Sequence, residues 1–250
     1  MKNTEAIILS AGKGTRMNSL LPKVLLQIGG KSILHWIIEL LKSCNFDSGN
    51  FVLGHKSEIV INALQELDFK SRIIIQTKLD GTAKALEQGL KTIKPNTKNI
   101  LVLFGDDAGL YNSKSIKDLI KYHVSNENIA TFMILKDNRV SDIGGLEVNQ
   151  NNEVVGVKTM SEIKNNPKLE YYVLCGAFCF NSEWIKSNIG KIKVNPLSRE
   201  YPLPQIIEVA KNQNLKVKGY LLKDSLEWES INTLEGLKIA DEKKYKQINK

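Results

Sequence analysis

The residues best suited to chemistry lie near the N-terminus, where two glycines precede two cationic side chains at short spacing. Gly12 and Gly14 form a Gly-x-Gly loop, Arg16 comes two residues later, and Lys23 follows Pro22. Glycines allow the backbone to approach a ligand closely, and successive backbone N–H groups in such a loop can bind an anion. Arginine can hold phosphate oxygens with two hydrogen bonds. The segment therefore predicts a phosphate site, although Gly-x-Gly alone is also typical of a tight turn.

The loop differs from two common phosphate-binding motifs. Met17 stands where the dinucleotide-binding fingerprint has its third glycine, and the spacing of a Walker A loop is also absent. A short apolar run over residues 6–9 comes directly before the loop, as is typical of a buried parallel strand. The loop is therefore predicted to follow the carboxyl end of such a strand.

Strands and helices are predicted to alternate over the first 135 residues. Short apolar or β-branched runs are separated by stretches with apolar residues at helical spacing, and Ser32 suits the N-cap of the first helix. This alternation predicts an α/β, Rossmann-like fold, with a mostly parallel sheet and helices on both faces. The predicted strands cover residues 6–9, 51–54, 72–76, 100–104 and 129–135.

Two of these strands end in glycine-bearing segments, residues 11–14 and 105–106. Open α/β sheets bind ligands at the carboxyl ends of their strands, so the two segments are expected to face one crevice. Farther along, a hairpin is predicted over residues 146–157, a strand over 169–180 and a final helix from Leu234. This second part is expected to extend the first sheet and to close the crevice, within a single domain over residues 1–250.

The basic composition suits an anionic partner or a solvated basic surface, and the charge alone does not separate nucleic acid from phosphorylated small molecules. The formal net charge is +8, from 35 Lys and Arg against 27 Asp and Glu, which suits an anionic partner. We expect phosphorylated small molecules and no nucleic acid, because no basic stripe with interleaved aromatic residues is present. No apolar run reaches the roughly 18 residues of a membrane span, and none near the N-terminus is long enough for a signal peptide. We therefore expect a soluble, cytoplasmic protein without a membrane partner.

The three cysteines predict a reducing compartment and no disulfide framework, because their number is odd and their spacing wide. Cys175 and Cys179 lie within an apolar run, which favours a buried strand over a metal site.

The loop that ends in Gly14-Thr15-Arg16-Met17, followed by Pro22-Lys23, resembles the signature of the sugar-phosphate nucleotidyltransferases. Within that group the chain is most similar to the N-acetylglucosamine-1-phosphate uridylyltransferases, and the resemblance covers nearly all of it. It implies a nucleotidyltransferase (GT-A-like) fold. The family's β-helix acetyltransferase half has no counterpart within the 250 residues.

The resemblance implies magnesium-dependent transfer between a nucleoside triphosphate, preferably a pyrimidine one, and a sugar 1-phosphate, with release of pyrophosphate. It also implies that residues 1–135 bind the nucleotide and residues 136–250 the sugar phosphate. The implied site residues are Arg16, Lys23 and Asp106 for catalysis, Leu9, Ser10, Ala11, Gly12, Gly14, Gln76, Gly81, Thr82 and Gly105 for the nucleotide, Gly144 for the sugar, and Asp106 and Asn232 for Mg²⁺.

The chain departs from the family pattern at three places. Asp107 follows Asp106 where the family usually has an apolar residue, which makes Asp107 a rival metal ligand. Thr159 and Leu174 occupy positions where the family has a sugar-binding glutamate and asparagine. We expect both residues to contact the sugar with altered chemistry, although Glu162 could supply the carboxylate after a small shift of its loop.

Two other functions stay open at this point. The cytidylyltransferases of isoprenoid and polyol-phosphate synthesis carry a similar loop with Pro-Lys, and this resemblance implies a polyol or another small phosphate as the acceptor. A non-catalytic protein that binds a nucleotide sugar would explain the altered sugar positions. Some site residues also have structural alternatives, with Gln76 as a surface strand residue, Asp106 as a helix N-cap and Asn232 as the cap of the last helix. The oligomeric state is not determined by the sequence.

Overall fold

The computed structural model describes residues 3–14, 17, 19–167 and 170–250. Its strands and helices follow the predicted alternation through the first half. The strands are β1 (Thr4–Ser10), β2 (Gln27–Ile28), β3 (Lys31–Ser32), β4 (Gly49–Leu53), β5 (Ser71–Ile75), β6 (Asn99–Phe104), β7 (Ala130–Leu135), β8 (Gly145–Val148), β9 (Glu153–Lys158), β10 (Tyr171–Asn181) and β11 (Val217–Leu221). The helices are α1 (Ile33–Ser43), α2 (Ser57–Glu66), α3 (Thr82–Leu90), α4 (Ser113–Ser125), α5 (Val140–Ile143), α6 (Met160–Asn165), α7 (Ser182–Asn188), α8 (Ile206–Lys211) and α9 (Leu234–Ile248).

The main sheet is mixed, in the order β5-β4-β1-β6-β10-β7-β11-β9-β8. Strands β5, β4, β1 and β6 are parallel to one another, and β11 is parallel to β7. Strand β10 lies antiparallel between β6 and β7. The second part of the chain therefore does more than extend the sheet, because it supplies a central strand. The continuous burial of residues 175–180 suits that position, where both faces of a strand are covered.

The far end of the sheet curls back on itself. Strand β8 pairs with β9, and it also pairs with the start of β10 through Tyr171 opposite Glu147 and Tyr172 opposite Leu146. Strands β10, β7, β11, β9 and β8 therefore form a closed circuit of pairings. This circuit gives one wall of the cavity described below.

Helices cover both faces of the sheet, and alternate residues of β1 point to the two sides. Ala6 and Ile8 belong to a core with residues of α1, α2, α4 and α9. Ile7 and Leu9 belong to a second core with residues of α3, α7 and α8. The predicted α/β, Rossmann-like fold is thus confirmed.

Side-chain caps begin several helices, and the cap at Ser32 is the predicted one. Ser32 accepts a hydrogen bond from the backbone N–H of His35 and caps α1, while Asn112 and Thr233 cap α4 and α9 in the same way. Cys44, Cys175 and Cys179 are buried free thiols, and the latter two lie in β10 as predicted. Within the described part of the chain, no helix combines the length and apolarity that a membrane crossing requires.

Helix α9 fastens the two segments that follow Lys23 and Asp106. Lys244 is buried, and its Nζ donates to the carbonyl oxygen of Gly109 at 2.9 Å and lies 4.0 Å from the centre of the Trp36 ring. Asp241 Oδ1 accepts from the backbone N–H of Gly29, in the turn between β2 and β3, at 2.7 Å. Both segments are thereby held against one helix.

Burial lowers the pKa of Lys244 to about 8, whereas the same side chain has a value of 10.5 when unfolded. The unfolded chain therefore binds more protons between these values, so the free energy of unfolding rises with pH there. Between roughly pH 7 and 9.5, we expect the free energy of unfolding of the wild type to rise by about 2 kcal/mol relative to that of Lys244→Met. Urea unfolding at several pH values measures this difference. Lys246→Met, at an exposed position of the same helix, is the control, and a pH-independent difference for Lys244→Met would contradict the expectation.

Candidate active site

A cavity of about 1230 Å³ opens at the carboxyl ends of the strands, and both halves of the chain line it. Pockets for single drug-sized ligands usually measure about 300–1,000 Å³, so this cavity is large enough for two small substrates. The predicted site residues that line it are Leu9, Ser10, Ala11, Gly12, Gly14, Lys23, Gln76, Gly81, Thr82, Asp106, Gly144, Leu174 and Asn232. Arg16 lies outside the residues that the structure describes.

Three of these residues meet at one point. Lys23 Nζ donates to Asp106 Oδ2 at 2.9 Å and to Asn232 Oδ1 at 2.6 Å, although the partners lie 83 and 209 residues away along the chain. The alternatives in which Asp106 and Asn232 only cap helices are wrong, because α4 is capped by Asn112 and α9 by Thr233. We call Lys23, Asp106 and Asn232 the cation cluster.

The cation cluster has the donor chemistry that suits Mg²⁺. A carboxylate oxygen and an amide oxygen both face the single ammonium group of Lys23, so the two oxygens already favour a positive charge at this place. Magnesium prefers oxygen ligands and often binds proteins through one or two side chains, with water and substrate phosphates completing its shell. Among the described residues, no larger group of His, Cys, Asp and Glu is arranged to hold a metal. The residues present therefore fit magnesium bound together with a phosphate substrate.

The glycine loop and the end of β6 pack closely against each other. Gly14 has a φ of +61°, and a Cβ there would lie 3.1 Å from the Lys23 side chain. A Cβ on Gly105 would lie 2.0 Å from Ser10 Oγ, so only glycine fits between these strand ends. Gly105 donates its N–H to the carbonyl of Leu9 and does not line the cavity. Gly105 therefore has a packing role between the two strand ends, and its contact with a nucleotide stays a prediction.

Gln76 lines the same cavity as the glycine loop and is buried. Its Nε2 donates to Asp80 Oδ1 at 3.3 Å and to the carbonyl of Gly81 at 3.4 Å. Only 6% of Gln76 is exposed, so the alternative of a plain surface strand residue is wrong. A buried side-chain amide next to a glycine backbone can discriminate between bases by hydrogen bonding.

The segment around Tyr201, from the second half, holds this glutamine region in place. Tyr201 N–H donates to the carbonyl of Asp80 at 2.8 Å, and its own carbonyl accepts from Ala83 N–H at 2.9 Å. Thr82 Oγ1 accepts from Leu203 N–H at 2.8 Å. Thr82 therefore has a structural partner as well as a position on the cavity wall. Sequence reasoning missed Tyr201 because backbone pairing leaves no pattern in side chains.

Asp107 and Asp106 are neighbours with different environments. Asp107 is buried, and Trp228 Nε1 donates to its Oδ2 at 3.4 Å. Burial, together with the adjacent Asp106 carboxylate, holds the pKa of Asp107 well above its usual range. The Asp107 carboxyl also lies against Gly176, where a Cβ would be 2.5 Å from Oδ2. Asp107 therefore has Trp228 as its hydrogen-bond partner, and both residues also line the cavity beside the cation cluster.

At the predicted sugar end, Gly144 and Leu174 line the cavity and Thr159 does not. Thr159 is the N-cap of α6, where its Oγ1 accepts from Glu162 N–H and Glu162 Oε2 accepts from Thr159 N–H. This reciprocal pair is a capping box. Thr159 and Glu162 therefore have a structural role in the cap of α6. A sugar contact at Thr159, or at Glu162 after a shift of the loop, stays a prediction.

A second charged group lines the cavity, and sequence reasoning missed it. Arg139 Nη1 donates to Glu229 Oε1 at 2.6 Å, and its Nη2 donates to Asp137 Oδ2 at 2.7 Å. Lys243 Nζ lies 3.0 Å from the other oxygen of Glu229. Hydrogen bonds to both carboxylates, Asp137 foremost, raise the pKa of Arg139 above its ordinary value. The available signal was a polar run directly after β7, whose carboxyl end lies at the same edge as that of β6.

The fold brings a glycine loop, the ammonium group of Lys23 and two side-chain oxygens together at one edge of a mixed α/β sheet. The chain matches the family model described as nucleotidyl transferase over residues 5–245, and it therefore belongs to the nucleotidyl transferase family. The resemblance seen in the glycine loop is thereby confirmed.

Relatives with similar sequences include two bifunctional GlmU proteins. The one from Streptococcus uberis is 31% identical over 245 residues, which cover 98% of this chain and 53% of that protein. The one from Streptococcus mutans is 30% identical over 244 residues, which cover 98% of this chain and 52% of that protein. The chain thus spans about half the length of these relatives. The crystal structure of HddC from Yersinia pseudotuberculosis shares the fold, with a TM-score of 0.73, 19% identity and coverage of 96% of this chain and 98% of that one.

Arg139→Leu is expected to lower the free energy of unfolding by about 2 kcal/mol, because it removes one partner of a buried carboxylate. Glu229 is 2% exposed and would keep Lys243 as its charged partner. Denaturant unfolding measures the change. Lys114→Leu is the control, since its pair with Asp118 is exposed to solvent and should contribute little to stability. Equal effects of the two substitutions would contradict the expectation.

Proposed function

We propose that this protein joins a nucleoside triphosphate to the phosphate group of a sugar 1-phosphate and releases pyrophosphate. The observation that carries the proposal is the cation cluster, in which Lys23 Nζ contacts Asp106 and Asn232 at 2.9 and 2.6 Å beside the glycine loop. Membership of the nucleotidyl transferase family supports the same reaction type. The similarity to GlmU proteins supports a sugar phosphate as the acceptor.

In the proposed reaction, an oxygen of the acceptor phosphate attacks the α-phosphorus of the triphosphate. A new P–O bond forms, the bond between the α-phosphorus and the oxygen bridging to the β-phosphorus breaks, and pyrophosphate leaves with that electron pair. The attacking phosphate is already an anion, so the protein need not remove a proton. Its contribution is to position the substrates and to neutralise charge, as is general for phosphoryl transfer.

The glycine loop would bind the triphosphate through its backbone N–H groups, and Lys23 would neutralise charge at the reacting phosphates. Arg16, two residues beyond Gly14, is proposed to assist from the same loop. Asp106 and Asn232 would hold Mg²⁺, which when bound would offset the negative charge of the phosphate oxygens. Gln76, Gly81 and the neighbouring Thr82 are proposed to face the base, with a preference for pyrimidines.

The test is a pyrophosphate-release assay with five triphosphates and a panel of sugar and polyol phosphates. Asp106→Ala should abolish turnover, and Lys23→Met should lower kcat by about 10²–10³ with saturating triphosphate, because a charge that acts in the transition state is lost. EDTA should stop the reaction and excess Mg²⁺ should restore it.

The matched controls are Asp118→Asn and Lys31→Met, which change exposed residues outside the cavity. Near-normal activity in Asp106→Ala would refute the assignment of the cation cluster. An effect of Lys23→Met on KM alone would mean that Lys23 contributes equally to ground-state and transition-state binding.

Gln76→Leu should reduce the preference for pyrimidine over purine triphosphates. The wild type is expected to use UTP, dTTP or CTP better than ATP or GTP, and loss of the buried amide should reduce that ratio of kcat/KM about tenfold or more. Competition between triphosphates measures the ratio, and Gln65→Leu, at an exposed position of α2, is the control. Equal use of purine and pyrimidine triphosphates by the wild type would contradict the base assignment.

A further inference from the structure

Part of the cavity wall, formed by residues from the second half of the chain, carries exposed apolar side chains. Ile143, Val157 and Met160 line the cavity and are 49%, 48% and 50% exposed, and Leu174 lines it beside them. Single exposed apolar residues are ordinary on protein surfaces, but apolar residues gathered in a concave site usually mark a ligand contact. We call these four residues the apolar wall.

The apolar wall comes from segments that pack on one another. Leu146 lies opposite Val157 in the pairing of β8 with β9, so the strand after Ile143 runs beside the strand before Met160. A Cβ on Gly144, which has a φ of +80°, would lie 3.0 Å from the carbonyl oxygen of Lys158. A Cβ on Gly145 would lie 2.5 Å from the carbonyl oxygen of Tyr172, in the strand that carries Leu174. The wall is therefore a built surface within the closed circuit of strands.

The charged side chains around the apolar wall are paired with other protein groups. Lys158 Nζ lies 3.1 Å from Glu147, and Lys164 Nζ lies 3.6 Å from Asp142. Glu162 bonds to Thr159 in the cap of α6, outside the cavity. The apolar wall thus offers van der Waals contact, where a site for a fully hydroxylated sugar needs hydrogen-bond partners.

We propose that the acceptor is a deoxysugar 1-phosphate, whose deoxygenated or methyl-bearing carbon packs on the apolar wall. The proposal rests on the proposed function, because the glycine loop and Gln76 then take up the nucleotide and leave the apolar wall to the acceptor. An apolar group in this position replaces water on four side chains, whereas a hydroxyl there loses its partners. A difference of one hydroxyl at an apolar site changes kcat/KM by about 10- to 100-fold.

The experiment compares acceptors that differ by one oxygen. The wild-type chain is assayed for pyrophosphate release with its best triphosphate and either 6-deoxyglucose 1-phosphate or glucose 1-phosphate, and likewise with fucose and galactose 1-phosphates of matched configuration. N-acetylglucosamine 1-phosphate and a polyol phosphate complete the panel. We expect the deoxysugar of at least one pair to be preferred about tenfold or more in kcat/KM over its hydroxylated counterpart and over the other two acceptors.

Met160→Gln and Ile143→Asn should each reduce this preference several-fold and leave the KM for the triphosphate unchanged. Leu221→Gln is the matched control, because Leu221 is 47% exposed and lies outside the cavity. No preference within any pair, or best use of N-acetylglucosamine 1-phosphate, would overturn the acceptor proposal while the proposed function stands. Best use of the polyol phosphate would overturn both, because the acceptor would then not be a sugar 1-phosphate. No pyrophosphate from any combination would refute the proposed function, and the acceptor proposal with it.

Discussion

The architecture of the site depends on one ammonium group held between a carboxylate and an amide oxygen. Lys23, Asp106 and Asn232 come from three distant parts of the chain, and their contacts of 2.9 and 2.6 Å leave little freedom for any of those parts to shift. Charge-assisted hydrogen bonds of this kind require groups to be oriented before a ligand arrives. The surrounding loops and helix α9 hold Lys23, Asp106 and Asn232 in this orientation. Lys244, Asp241 and their partners fix the two loops to α9, and α9 begins two residues after Asn232.

The same arrangement separates two neighbouring carboxyl groups. Asp106 faces the cavity beside Lys23, whereas Asp107 turns to Trp228 and is buried against Gly176. Two adjacent carboxylates on one side of a strand end would repel each other and would compete for one cation. The hydrogen bond from Trp228 and the raised pKa distinguish Asp107 from Asp106, whose carboxylate bonds to Lys23.

The sequence predicted the parts of the molecule that depend on local pattern. Apolar runs and helix caps marked the elements of the first half, and glycines with Lys23 and Asp106 marked the cavity, because such residues have short-range physical requirements. The central place of β10 was not predictable, since continuous burial shows that a strand is covered on both faces but does not identify its neighbours. Thr159 was assigned to the sugar by its place in a family pattern, although Thr159-x-x-Glu162 is itself a capping-box signature. Arg139 and Glu229 meet only through the tertiary fold, so the polar run after β7 did not identify Glu229 as the partner of Arg139.

The insertion of β10 between β6 and β7 has a consequence for how the chain can be made. Residues up to 135 leave the ribosome first, and they include β6 and β7 but not the strand that joins them. Until Tyr171–Asn181 has emerged, the facing edges of these two buried strands have no neighbour. Unpaired apolar strand edges favour association with other chains. The nascent first half therefore exposes strand edges that could associate with chaperones or other chains. The sheet becomes continuous only when β10 has been synthesised.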